Sequence, residues 1–440
     1  MKAQKIGLFT ATSIVIANMI GTGVFTSLGF QAAGLHSGLT IMILWILGGI
    51  VAFTGALCYG ELGSMFPQSG GEYNYLSKIY HPALGFAAGW VSVTVGFAAP
   101  VAAAAMALGA YAHGAFSLIN PTLLAISIVI IISLIHAKSI KAGSLFQNYT
   151  TSFKVLAIVV IILFGILHEQ GGDLNFGYEP LVINEIMSQN FATSFFFVSL
   201  AYSGWNAAGY IASDMELPQR NIPKSLLYGT LLVTFLYVAI NFVFMYVTPI
   251  AEMSNNEGPV VDIAGVAAMH IFGVAGGKIM SMIIAFLLIS TISAMIIAGP
   301  RVTLSMGKDH RVFNYFALTT KNGVPAIAIF LQCFISVFFI LSASFSQVVI
   351  YISFTLNLFT FLAVAGIFVM RIKHPTMERP YKTWAYPIVP ILFLSITGWL
   401  MYLGLISNFK ESVLGLITAF SGIIIYWLFT KKSTANILMK

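Results

Sequence analysis

The stretch NMIGTGVF, Asn18 to Phe25, decides the fold, because it places two glycines in the middle of a long apolar segment. Each glycine in a helix interior costs about 1 kcal/mol relative to alanine. One explanation is close helix packing, which small residues permit in membranes. The alternative is a helix broken at Gly21–Gly23, with free N–H groups at the start of one half and free C=O groups at the end of the other. Such donors and acceptors side by side would suit an amino acid zwitterion.

The composition predicts a membrane protein with many spans. Only 8% of the 440 residues are charged and 58% are hydrophobic, whereas a soluble domain carries about 25% charged residues. The two cysteines lie in apolar runs and match neither a disulfide framework nor a metal motif. The predicted spans contain no acid–base pair, metal cluster or nucleophile arrangement, so we expect no enzyme activity, no cofactor and no bound metal.

Apolar runs of roughly membrane-spanning length predict twelve transmembrane helices and no separate soluble domain. The whole chain, 1–440, is therefore interpreted as one polytopic transmembrane domain. The predicted spans are 6–33, 39–66, 83–112, 121–137, 146–167, 189–213, 224–248, 277–306, 325–341, 345–370, 385–406 and 412–430.

The distribution of basic residues predicts the orientation. With both termini in the cytoplasm, every Lys and Arg falls on the cytosolic side except Lys154, Lys278 and Lys410. The net charge of +7 therefore indicates topology and contact with the lipid bilayer rather than nucleic-acid binding. We expect a multi-pass protein of the plasma membrane.

A second interrupted helix lies in the sixth span, where LAYSGWNAAGY, Leu200 to Tyr210, places Gly204 among small and polar residues. This span runs antiparallel to the first and follows it by five spans. Two such helices are typical of a five-plus-five inverted repeat. The repeats would cover about 6–167 and 189–370, followed by two extra helices at about 385–430.

Several motifs resemble the amino acid–polyamine–organocation (APC) superfamily, and most closely the L-type amino acid transporters and their bacterial relatives. NMIGTGVF resembles the first-helix motif of that superfamily. Its second and third helices are resembled by YGELGSMFPQSGGEYNYL (Tyr59–Leu76). Its sixth helix is resembled by AYSGWNAAGYIASDMELPQRNIPKSL (Ala201–Leu226), and its eighth by AGPRVTLSMGKD (Ala298–Asp309). The resemblance implies the LeuT-like fold and transport by alternating access.

The resemblance also implies a substrate site at the two breaks. Thr22 and Gly23 would offer N–H groups to the substrate carboxylate, with Gly21 letting the backbone turn. Four carbonyl groups would receive the ammonium, namely those of Met19, Ile20, Leu200 and Ser203. Trp205 and Asn206 would line the side-chain pocket. Relatives often carry an aromatic residue at the position of Leu200, so a gate formed by an aromatic ring is in doubt here.

Lys154 is the one ionisable residue that the sequence places well inside a span, about two helical turns from its start. It could extend to the cytosolic surface, or it could be functional. In sodium-independent relatives, a fifth-helix lysine resembling Lys154 takes the place of a sodium ion between the first and eighth helices. The resemblance therefore implies contacts near Ile20 and with Thr291 or Ser293. Lys154 would be a fixed ion substitute or a proton switch.

These interpretations predict sodium-independent transport of small or medium neutral L-amino acids, with exchange as the favoured mode. The pocket segments supply no Arg, Asp or Glu to pair with a charged substrate side chain. Proton-coupled symport, and transport of cationic amino acids or polyamines, are the alternatives. A channel would need a symmetric filter or charged ring. The predicted outer loop 113–120 lacks the cysteine by which eukaryotic relatives attach a glycoprotein, so no covalently attached heavy subunit is expected.

Overall fold

A computed structural model describes residues 5–138, 141–168, 176, 180–255, 258–320 and 323–435. The described part is almost entirely helical. A short antiparallel pair of strands, β1 (Ser254–Asn255) and β2 (Gly258–Pro259), is the exception. Much of the acidic loop that precedes the sixth predicted span, and the basic residue Lys2, lie outside the described residues.

The first half of the chain forms eight α-helices. These are α1 (Leu8–Met19), α2 (Gly23–Ala32), α3 (Gly38–Met65), α4 (Glu72–Ile79), α5 (Pro82–Val91), α6 (Ala98–Ala115), α7 (Pro121–Lys138) and α8 (Lys141–Ile166). A π-helical turn, Ser92–Gly96, joins α5 to α6, so these two helices act as one interrupted span.

The second half forms eight more. These are α9 (Pro180–Ile186), α10 (Gln189–Tyr202), α11 (Pro218–Val247), α12 (Ile263–Asp309), α13 (Ala326–Ser342), α14 (Phe345–Lys373), α15 (Ile388–Ser407) and α16 (Phe409–Ala435). Three 3-10 helices accompany them, at Ala207–Asp214, Ile250–Glu252 and Arg311–Ala317. Helix α12 is bent at Gly273, whose φ of 76° lies outside the helical region.

The helices fall within a few residues of the predicted spans. Nine helical segments of the described residues are long and apolar enough to cross a membrane. The other three predicted spans coincide with shorter helices. Their apolar parts are Thr151–Ile166, Gln189–Tyr202 and Ala326–Ser342. The chain is thus an all-α membrane protein, and the full count of twelve crossings stays a prediction.

The core is built where the two interrupted helices meet long neighbours. Helix α12 packs along α6, α11 packs along α3, and α1 lies against α11. Small residues permit these approaches. A Cβ on Gly229 would lie 2.7 Å from a methyl carbon of Val15, so α11 and α1 are nearly in backbone contact. This packing brings the ends of α1 and α10 together in the interior.

The buried carboxylate of Glu61 ties α3 to α14 and to the segment that follows α14. Glu61 is 1% exposed and accepts two hydrogen bonds from Arg371, from Nε at 3.0 Å and from Nη2 at 2.7 Å. The backbone N–H of Thr383 donates to the same carboxylate at 2.7 Å. The guanidinium of Arg371 also lies over the ring of Tyr386. Glu61 therefore joins three separate parts of the chain.

We expect Glu61→Gln to destabilise the protein, because it leaves Arg371 and Arg379 without their charged partner, whose carboxylate lies 2.7 Å and 3.5 Å from the two guanidinium groups. Removing one member of a buried ion pair costs about 3–5 kcal/mol. A fall of roughly 3–5 °C in the melting temperature of the detergent-solubilised protein should follow. The matched control is Glu252→Gln, which breaks the exposed contact with His270 and should shift the melting temperature little. Equal shifts for the two variants would contradict this assignment.

Candidate substrate-binding site

The first break separates α1 from α2 at Ile20, Gly21 and Thr22. The carbonyl oxygen of Met19 lies 2.8 Å from the N–H of Gly21 and 2.6 Å from the hydroxyl of Tyr237. A carbonyl oxygen has two lone pairs, so both are already engaged. That Met19 receives a substrate ammonium stays a prediction, and in this structure its carbonyl oxygen already accepts from Gly21 and Tyr237.

The start of α2 leaves backbone donors available. The N–H groups of Thr22, Gly23 and Val24 bond to no acceptor among the described residues. They form the first turn of a helix, where the helix dipole is positive and anions are favoured. The binding of a substrate carboxylate by Thr22 and Gly23 stays a prediction, and these two residues supply free N–H groups at the start of α2.

The second break follows Tyr202, where α10 ends and the chain turns through Ser203 to Asn206. Gly204 adopts a φ of +90°, a conformation that favours glycine. A Cβ at this position would also lie 2.7 Å from the carbonyl oxygen of Asn18. Gly204 is therefore required twice, by its backbone conformation and by the approach of the first broken helix.

The two breaks lie against each other. A Cβ on Gly23 would overlap Cα of Ala201, so α2 and α10 are in backbone contact. The Tyr237 hydroxyl lies 2.6 Å from the oxygen of Met19 and 3.2 Å from that of Ala201, and so links both breaks to α11. Sequence reasoning missed Tyr237, because nothing in its own span distinguishes it from other buried aromatic residues.

A cavity of about 610 Å³ ends at the breaks. Four of the predicted site residues line it, namely Leu200, Ser203, Trp205 and Asn206. The five from Met19 to Gly23 lie beside it and do not line it, whereas their neighbours Ala17 and Asn18 do. Leu200 stands where an aromatic residue was expected, and two aromatic residues of α10, Phe195 and Tyr202, line the cavity.

The cavity is open toward one end of the helix bundle and closed toward the other. Its lining extends to Ile6, before α1, and to Asp214, at the end of the 3-10 helix. Beyond the breaks in the opposite direction, the rings of Phe30 and Phe197 stack with centroids 4.6 Å apart. Asn190 also donates a hydrogen bond to the carbonyl of Gly34. A solute at the breaks would thus have access from one side.

The cavity wall carries charge, which corrects the expectation that no Arg, Asp or Glu would be available there. Glu72, Asp214 and Arg301 all line the cavity. Sequence reasoning considered only the residues next to the breaks. Glu72 is instead the first residue of α4, and Arg301 lies on α12. Among the described residues, no group of three or more His, Cys, Asp or Glu could hold a metal ion.

Lys154 is buried between three helices and is 1% exposed. Its Nζ donates to the carbonyl of Ile20 at 3.2 Å and to Oγ1 of Thr291 at 2.7 Å. The side chain does not reach the surface, so the alternative of extension to the cytosolic interface is wrong. Ser293 is not a partner, because its hydroxyl lies 2.8 Å from Nε2 of His136 on α7. The ammonium joins α8 to the first break and to α12.

A helical membrane protein with a one-sided cavity that ends at two broken helices has the architecture of a solute transporter. The amino acid permease family model matches residues 6–429. The chain therefore belongs to the amino acid permease family of the APC superfamily, as its motifs suggested, and its relatives are transporters rather than enzymes.

Curated relatives match nearly the whole chain. The b(0,+)-type amino acid transporter 1 of Mus musculus is 26% identical over 434 residues, which cover 97% of this chain and 88% of that protein. The serine/threonine exchanger SteT of Bacillus subtilis (strain 168) is 26% identical and covered to 98% in both proteins. The large neutral amino acids transporter small subunit 2 of Homo sapiens is 27% identical, with 97% and 80% covered.

Proposed function

We propose that this protein exchanges small or medium neutral L-amino acids across the plasma membrane by alternating access, without sodium. The observation that carries the proposal is the position of Lys154. Its ammonium bonds Ile20 at the first break and Thr291 on α12, between the two helices that a sodium ion bridges in sodium-coupled members of this fold. A cation that belongs to the chain makes a bound sodium ion unnecessary there.

The proposed topology has twelve spans in a five-plus-five inverted repeat of the LeuT type, with both termini in the cytoplasm. The adjacent breaks of α1–α2 and of α10 support the repeat, since each begins a half of the chain. The basic residues of the sequence support the orientation. With this orientation the cavity opens to the cytoplasm, and the structure represents the inward-open state.

The proposed substrate site uses both breaks. The N–H groups of Thr22 and Gly23 bind the carboxylate, and Gly21 lets the backbone pass between the half-helices. The carbonyl groups of Ile20, Leu200 and Ser203 receive the ammonium, while Met19 is engaged by Tyr237. Leu200, Trp205 and Asn206 surround the side chain. The free N–H groups of α2 support this arrangement.

The site and the relatives support small neutral amino acids as the proposed substrate class. SteT is named as a serine/threonine exchanger, which supports exchange of small neutral amino acids. Cationic amino acids remain the second candidate, because Glu72 lines the cavity.

The expectation that no heavy subunit is attached is not supported by the relatives, because one of them is named as a small subunit. That expectation rests on the cysteines alone, since Cys58 is buried and Cys333 lies within α13.

The test is uptake by the purified protein in liposomes. We expect labelled serine or alanine to enter liposomes preloaded with unlabelled amino acid, and to enter empty liposomes at most weakly. Replacing external sodium by choline should leave the uptake unchanged, because Lys154 occupies the place of the ion. Protein-free liposomes are the control. Loss of uptake in choline, or uptake into empty liposomes driven by a proton gradient, would contradict sodium-independent exchange.

A further inference from the structure

Glu72, the first residue of α4, is almost fully buried in the cavity wall without a basic partner among the described residues. Its carboxylate accepts three hydrogen bonds from uncharged donors. Tyr59 donates at 2.8 Å, Nδ2 of Asn206 at 2.6 Å and the hydroxyl of Tyr210 at 2.5 Å. The carboxylate thus connects α3 to the second break and to the 3-10 helix beyond it.

The loop before α4 is shaped to place this carboxylate. Gly70 and Gly71 have φ values of +121° and +51°. A Cβ on Gly71 would lie 2.6 Å from the ring of Tyr210, so only glycine allows this approach. Ser69 and Ser213 exchange two hydrogen bonds of 3.0 Å, each from a backbone N–H to the other hydroxyl. The loop is therefore docked firmly onto the 3-10 helix.

The carboxylate determines which way the amide of Asn206 points. An amide has a donor end and an acceptor end, and only the chemistry of its neighbours distinguishes them. Glu72 accepts hydrogen bonds, so the NH₂ group of Asn206 must face it. The carbonyl oxygen Oδ1 is then left as the acceptor. Asn206 is half-buried and lines the cavity, and no described group donates to its Oδ1.

We propose that Glu72 is a positioning residue that makes Asn206 present an acceptor to the substrate side chain, so that the site selects side chains with a hydroxyl donor. This inference rests on the proposed amino acid site, and it deepens that proposal by naming the substrate class as serine and threonine. Threonine and valine have side chains of the same shape, and threonine carries a hydroxyl group where valine carries a methyl group. They are therefore the pair that the Asn206 acceptor distinguishes.

The test is competition by threonine and by valine for uptake of labelled serine into preloaded liposomes. One hydrogen bond to an otherwise available acceptor is expected to favour threonine by about tenfold in the inhibition constant. Glu72→Gln can donate to Oδ1 as well as accept from Nδ2, so the amide loses its fixed direction. The inhibition constant of valine divided by that of threonine should then fall to about one. The fall should come from weaker inhibition by threonine, with inhibition by valine little changed.

The matched control is Tyr210→Phe, which removes one donor to Glu72 and keeps the contact of Glu72 with Asn206. Its threonine-to-valine ratio should stay close to that of the wild type. A ratio that falls equally in both variants would assign the effect to loosening of the loop and overturn the proposal. Equal inhibition by threonine and valine in the wild type would overturn this inference alone. If the wild-type protein takes up no amino acid at all, the proposed function is overturned as well.

Discussion

Lys154→Ala is expected to lower amino acid exchange at least tenfold, while the protein still folds. The variant loses the hydrogen bonds from Nζ to Ile20 and to Thr291. Hydrogen bonds of a charged group contribute about 1.5–3 kcal/mol each. Without them, no described side chain of α8 bridges the first break and α12 by hydrogen bonds, and the two half-helices lose the fixed spacing on which the substrate site depends.

The stability part of this expectation follows from the burial of the ammonium. Its described partners are a carbonyl and a hydroxyl, neither of which carries a negative charge. A buried charge without a counter-ion raises the free energy of the folded state, because the charge has lost its hydration. Removing the charge therefore removes this cost. Lys154→Met retains the length of the side chain and avoids a cavity. We expect it to lose exchange as Lys154→Ala does, and to melt at the same or a higher temperature.

Two neighbouring hydroxyls provide the comparison. Thr291→Val removes a partner of Lys154 without changing the shape of the side chain, and should reduce exchange by less than the lysine variants. Ser293→Ala affects the contact with His136 and should leave exchange close to that of the wild type. Initial uptake rates and melting temperatures of the variants are the measurements. Wild-type exchange by Lys154→Met at all pH values would show that the bridge has no role in transport.

Local sequence patterns predicted the helices and both breaks, because these depend on neighbouring residues. Long apolar runs determine where helices form, and glycine among small polar residues determines where they stop. Thus α1 ends at Met19 and α10 at Tyr202, inside the two quoted motifs. The contact of Lys154 with Ile20 was expected only because the motifs resembled a known family.

The parts that could not be predicted are contacts between distant segments. Glu72 reaches the second break from the start of α4, and Tyr237 reaches the first break from α11. Glu72 is 134 positions from Asn206 in the sequence, and Tyr237 is 218 positions from Met19. No short-range sequence pattern predicts such contacts, since they depend on how whole helices pack. The same reason explains why the engaged carbonyl of Met19 and the choice of Thr291 over Ser293 became visible only in the structure.

Gly23 shows that close packing and a broken helix, the two explanations of the opening motif, apply together. The backbone is broken at Ile20–Thr22, and the next residue packs against α10 with no room for a side chain. A valine at position 23 must displace one helix from the other, because a Cβ there would overlap Cα of Ala201.

We therefore expect Gly23→Val to abolish substrate binding and also to lower the melting temperature, by several degrees if strain of about 1–3 kcal/mol is introduced. The matched control is Gly21→Ala. Its added Cβ would lie 3.8 Å from the nearest atom, a methyl carbon of Thr291, which is an ordinary contact. That variant should keep the wild-type melting temperature. Binding measured by serine-induced thermal stabilisation separates the two effects, because it reports substrate affinity on the folded fraction. A Gly23→Val protein that melts and binds like the wild type would show that α2 is not held against α10 at this point.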